Sequence, residues 1–172
     1  MNNNQKQAFS AARLARAAVV AALYVVLTVA FQPLSYGAVQ IRFSEALTIL
    51  PLFMPEAIVG LTVGCLISNI FSFAPIDMLI GTLATLVAAI LTRFVAGKLK
   101  KPWLKFLTGG AFPAIINAVT VPITILIATS SKEYFFFNML TVFLGEFAAV
   151  YVLGGILFFA MIKIYRSNIL YS

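Results

Sequence analysis

SEALTILPLFMPEAIVGLTVGCLISNIFSF (44–73) is the stretch on which the fold turns. It is apolar throughout but broken by Pro51 and Pro55, so it reads either as one kinked membrane span or as two shorter ones. The two readings send every later segment to opposite faces of a bilayer. With two spans, about Glu45–Phe53 and Glu56–Phe71, a first helix falls at Ser10–Phe31 and the later ones at Asp77–Arg93, Phe112–Thr129 and Tyr134–Ile164. Ten of the twelve basic residues then lie on the cytoplasmic side, leaving Arg42 and Lys132 outside. A single span turns either the basic N-terminus or five basic residues of one loop outward, against the positive-inside bias. The expected fold is therefore an all-α membrane protein, a bundle of six transmembrane helices with both termini cytoplasmic, in the cell membrane of a prokaryote.

Composition demands lipid as solvent. Hydrophobic residues make up 62% of the chain and charged ones 10%, against roughly 45–50% and 25% in soluble domains. The apolar runs have the length of spans. The first run lacks a small-residue cleavage site, so the first helix is expected to stay in the mature protein. Residues 1–9 read as a polar cytoplasmic tail, 10–166 as one membrane domain, and 167–172 as a second tail. No repeat or soluble module is visible, and no GxxxxGK[ST] phosphate loop. An ATPase, if one drives this protein, is expected on another chain.

The same inventory narrows the chemistry. There is no histidine and a single cysteine, Cys65, which argues against zinc sites, disulfides and histidine-assisted nucleophiles. No metal or cofactor is expected, and no enzymatic activity. The formal charge of +7 sits at helix ends, where it orients the chain, so no nucleic-acid partner is expected.

A charge within a span costs roughly 2.5–3.5 kcal/mol on insertion scales, so each acid needs a reason. Glu133, beside Lys132, reads as a solvated turn residue, and Glu56, after Pro55, as a helix-start carboxylate. Glu146 lies within the apolar run LTVFLGEFAAVYVLGG (140–155), so it is expected to face the bundle. Two readings stay open for it, and for Asn69 and Asn117: contact with a solute, or an interhelical hydrogen bond. Arg42 and Glu45 are spaced to pair with each other or to meet a ligand together with Gln40. Asp77 is either a helix cap or a site residue. If the outer helix ends converge, these groups line one pocket with aromatics such as Tyr36, Phe43, Phe71, Phe73 and Tyr151. Such a pocket complements a flat heteroaromatic solute with several N–H donors, although a sugar or an amino acid uses the same groups. Ala11, Ala15, Ala18 and Ala22 form a small-residue stripe on the first helix, suited either to packing inside the bundle or to docking on another subunit.

The motifs QIRFSEALTILP (40–51), PEAIVGLTVGCLISN (55–69), DMLIGTLATLVAA (77–89) and GEFAAVYVLGG (145–155) resemble the QueT family of queuosine-precursor transporters. These are similar to the substrate-binding S components of energy-coupling-factor (ECF) importers. The resemblance covers nearly the whole chain. It implies a six-helix S-component fold that captures a 7-deazaguanine-type base from outside the cell. It also implies partners, a transmembrane coupling subunit and two ABC-type ATPases, with the Ala15, Ala18 and Ala22 face as the docking surface. An S component for another vitamin-like solute and a stand-alone secondary transporter are the alternatives.

Overall fold

The computed structural model describes residues 11–35, 41–72, 75–130 and 134–170. These residues are helical almost throughout. Helix α1 spans Ala11–Ala30 and is followed by the single turn α2, Gln32–Ser35. A ten-residue 3₁₀ helix runs from Phe43 to Leu52, and α3 from Ala57 to Asn69. Helices α4 (Pro75–Phe94) and α5 (Pro102–Thr129) come next. Then α6 (Phe135–Phe147) passes through a π-helical segment, Ala148–Leu153, into α7 (Gly154–Leu170).

Four of the helical stretches are long and apolar enough to cross a membrane: Ala11–Ala30, Ile76–Lys98, Pro102–Ala128 and Phe135–Ile164. The 3₁₀ helix and α3 are the two shorter apolar helices between the first and second of them. The chain is thus an all-α membrane protein, and 44–73 divides at its prolines into two segments.

Three details differ from the sequence expectation. The second segment is 3₁₀ rather than α, which lengthens it: at roughly 2.0 Å per residue it covers about 20 Å, where an α-helix gives about 15 Å. Helix α5 begins ten residues before the expected Phe112, because Pro102 occupies its first turn, where a proline costs no hydrogen bond, and the helix runs through Lys105. Helix α7 continues through Leu170, into the stretch read as a tail.

Packing follows the distribution of small residues. Ala17, Val20, Ala21 and Tyr24 form the buried face of α1 and meet α3 at Gly60 and Gly64. A Cβ on Gly60 would lie 2.6 Å from the Ala17 carbonyl oxygen, and one on Gly64 2.8 Å from Tyr24 Cβ. Only glycine permits that approach, the small-xxx-small solution to helix association in lipid. Val20, Tyr24, Leu47, Leu50, Ala57, Leu61, Cys65 and Ala89 then close a core shared by α1, the 3₁₀ helix, α3 and α4.

One end of the bundle is tied by charge. Arg16 pairs with Glu56, confirming a structural place for that acid. Arg93 Nη1 donates to the carbonyls of Pro51 (3.2 Å) and Leu52 (3.3 Å), which the end of the 3₁₀ helix leaves without intrahelical partners.

Candidate functional site

At the opposite end of the bundle, two buried polar clusters form around the start of the 3₁₀ helix and the end of α3. The first joins α3, α4 and α5. Arg42 precedes the 3₁₀ helix in an extended conformation. Its Nη2 lies 3.2 Å from Asp77 Oδ2, at the start of α4, and its Nε donates to the Ser35 carbonyl. Of the two alternatives for Arg42, an ion pair does form, with Asp77, 35 residues away in sequence. Thr124 Oγ1 lies 3.4 Å from Asp77 Oδ1, while its proton has a nearer acceptor in the Val121 carbonyl at 2.8 Å. Asn69 Nδ2 donates to the Asp77 backbone carbonyl at 3.0 Å and lies 3.4 Å from Cys65 Sγ. Gly81 makes room for this group, since a Cβ there would fall 2.9 Å from Asn69 Nδ2.

The second cluster joins α1, the 3₁₀ helix, α5 and α6 around two further acids. Glu45 is fully buried, and its Oε1 accepts a hydrogen bond from the Tyr24 hydroxyl. Glu146 is 3% exposed, and its Oε1 accepts from Asn117 Nδ2 at 2.9 Å. Asn117 also lies near enough to Glu45 to bear on that carboxyl. Among the described residues, neither Glu45 Oε2 nor Glu146 Oε2 has a partner. Thr28 Oγ1 donates to Ser44 Oγ at 2.8 Å beside them and anchors the start of the 3₁₀ helix to α1.

Irregular backbone carries both acids. Glu45 is the third residue of the 3₁₀ helix, and Glu146 stands two residues before the π segment. The two irregular segments pack on each other. Gly154 makes this possible, because a Cβ there would be 3.1 Å from the Ala46 carbonyl oxygen. Long 3₁₀ runs and π segments sacrifice ideal hydrogen bonding and recur where function fixes the geometry.

Most of the expected polar residues therefore fall in two places. Glu45, Asn117 and Glu146 come together, whereas Arg42, Asn69 and Asp77 form the adjoining frame. Gln40, Tyr36 and Phe73 lie outside the described residues. Phe43 packs edge-on against Phe31, with ring centroids 4.6 Å apart, and Phe71 is half-exposed. Tyr151 turns to α5 near its start, donating to the Leu107 carbonyl at 2.6 Å. The aromatic that reaches the acids is Tyr24, which the sequence reading missed. Its signal was a tyrosine six residues from the end of α1, deeper than the interfacial belt where tyrosines collect. Ala11, Ala15, Ala18 and Ala22 are exposed, while the neighbouring Ala17 and Ala21 take up the internal packing.

Comparisons with known proteins agree with this architecture. Residues 14–163 match the family model described as QueT transporter. The chain is 34% identical, over 143 residues, to a Queuosine precursor transporter QueT of Lactococcus lactis subsp. cremoris (strain MG1363), an alignment covering 78% of this chain and 83% of the relative. No solved structure matches.

Proposed function

This chain belongs to the QueT transporter family, and from that premise we propose that it captures a queuosine precursor, a 7-deazaguanine-type base, between Glu45, Asn117 and Glu146. It is a multi-pass membrane protein of the cell membrane. The observation that carries the reading is the pair of buried carboxylates, each with one oxygen engaged by the protein and the other unanswered. An orphaned buried acceptor costs about 1–3 kcal/mol or more, and a ligand N–H recovers it. A guanine-like edge presents two adjacent N–H donors, which one carboxylate accepts together. Glu146 is assigned to that edge, and the Arg42–Asp77–Asn69 group holds the helix ends around it.

In this reading the chain is the S component of an ECF-type importer, working with a transmembrane coupling subunit and two ABC ATPases. The exposed face of Ala11, Ala15, Ala18 and Ala22 supports such docking, because small residues unused inside the bundle let another helix approach closely. Mass spectrometry of the small molecule that co-purifies with the chain is the direct test: a 7-deazaguanine base is expected, and a chemically unrelated solute would refute the assignment. The paired acids also suit a proton-coupled secondary transporter. Liposomes containing this chain alone separate the two, since gradient-driven uptake without ATPases favours the second reading.

A further inference from the structure

We propose that Tyr24 is a positioning residue for this site: its hydroxyl holds one oxygen of Glu45, so that the carboxyl meets the solute through the other. The inference rests on the substrate reading above and adds a residue of α1 that need not touch the solute. Two terminal oxygens on a softly turning torsion are equivalent until something selects one of them. Tyr24 makes that selection. Its phenol has one proton to give, and Glu45 Oε1 receives it, while Oε2 has no partner among the described residues. Asn117 treats Glu146 in the same way, donating to Oε1 and leaving Oε2 open. Each acid is thus held on one oxygen by a neutral donor, from α1 in one case and from α5 in the other.

The tyrosine itself is fixed from several sides. Tyr24 is 0% exposed, and Gly64 on α3 gives it room, because a Cβ there would fall 2.8 Å from Tyr24 Cβ. Thr28 Oγ1, one turn on, lies 2.8 Å from both the Tyr24 carbonyl oxygen and Ser44 Oγ, which ties this turn of α1 to the residue before Glu45. The core around the ring includes Val20, Leu47, Leu50 and Leu61, where phenylalanine would fill the same space with no polar atom to satisfy. The hydroxyl therefore serves Glu45 rather than the packing.

The test is Tyr24→Phe in the full chain in lipid nanodiscs, by calorimetric titration with the aminomethyl and cyano 7-deazaguanine bases as probes. Without the hydroxyl the carboxyl must be ordered as the solute binds, so affinity for the tighter-binding base is expected to fall about three- to ten-fold. A packing role would weaken binding in any background, whereas positioning acts only through the carboxyl. In a Glu45→Ala chain the same change should therefore alter affinity by less than about two-fold. Unchanged or tighter binding by Tyr24→Phe, or an equal loss in both backgrounds, would overturn the inference and leave the substrate reading standing. Failure of the unmodified chain to bind either base would overturn the two together. Should a variant not fold, infrared difference spectra of the unmodified chain carrying ring-deuterated tyrosine decide the question. A new donor on Glu45 Oε2 draws charge from Oε1, so a tyrosine C–O band is expected to shift on binding, and an unmoved band would overturn the inference.

Discussion

Asp77 and Glu146 are buried to a similar degree, 6% and 3% exposed, yet they differ in what answers them. Asp77 has a cation on one oxygen, with the Thr124 hydroxyl 3.4 Å from the other. Glu146 has an amide on one and, among the described residues, nothing on the other. A carboxylate that the protein pairs with a cation holds the bundle together, and one left with an unanswered oxygen beside a second acid is suited to a donor from outside. Burial alone does not separate the two roles; the state of the second oxygen does.

The largest effect is expected where the comparison is broken on the closed side. Asp77→Ala strands Arg42 in the interior and should cost about 3–5 kcal/mol, seen as a large drop in the unfolding temperature in detergent. Replacing both partners, Arg42→Met with Asp77→Leu, should recover most of that stability, since the paired burial is nearly neutral against an apolar substitute.

Glu146→Gln probes the open side. It keeps the shape and the Asn117 contact but removes the charge, so the unfolding temperature should move little while affinity for the base falls about 10–100-fold, or roughly 1.5–3 kcal/mol. If stability fell and binding did not, Glu146 would belong with Asp77 in the frame.

Gly154→Ala acts on the seam between the two irregular segments. A methyl 3.1 Å from the Ala46 carbonyl must push the 3₁₀ helix away from the π segment. The expected penalty lies at the low end of the roughly 1–3 kcal/mol typical of overpacking, with a weaker binding constant as its more sensitive readout.

The smallest effect belongs to the Arg16–Glu56 end of the bundle. Burial pushes the Glu56 carboxyl up, but its own backbone hydrogen bond and the Arg16 and Arg13 guanidiniums outweigh burial and hold it below its ordinary value. A carboxyl lowered on folding stabilises above its unfolded value, and that contribution is lost as pH falls through the folded value. With Arg16 half-exposed, Arg16→Ala should cost under about 1 kcal/mol and flatten the acid limb of a stability–pH curve.

The sequence made the open site more legible than the closed one. A carboxylate and an amide in the middle of apolar runs can only turn inward, so Glu146 and Asn117 declared themselves through the cost of lipid exposure. Arg42 did not, because the spacing argument for pairing it with Glu45 assumes that both sit on one regular helix. Arg42 instead lies in extended backbone before a 3₁₀ turn, and tertiary proximity gives it Asp77. The positive-inside bias divided 44–73 into two segments correctly, since ten basic residues outweigh any local ambiguity. It carried no information on 3₁₀ or π geometry, which is set by what packs against Gly154 and Ala46.

The central claim is that Glu45 and Glu146 await a donor from outside the chain. Equilibrium binding of a 7-deazaguanine base to the purified chain, without nucleotide or partner subunits, tests it most directly when run beside Glu45→Gln and Glu146→Gln. Tight binding by the unmodified chain, weakened in both variants while their unfolding temperatures hold, is the predicted result. Undiminished affinity in both variants would contradict it.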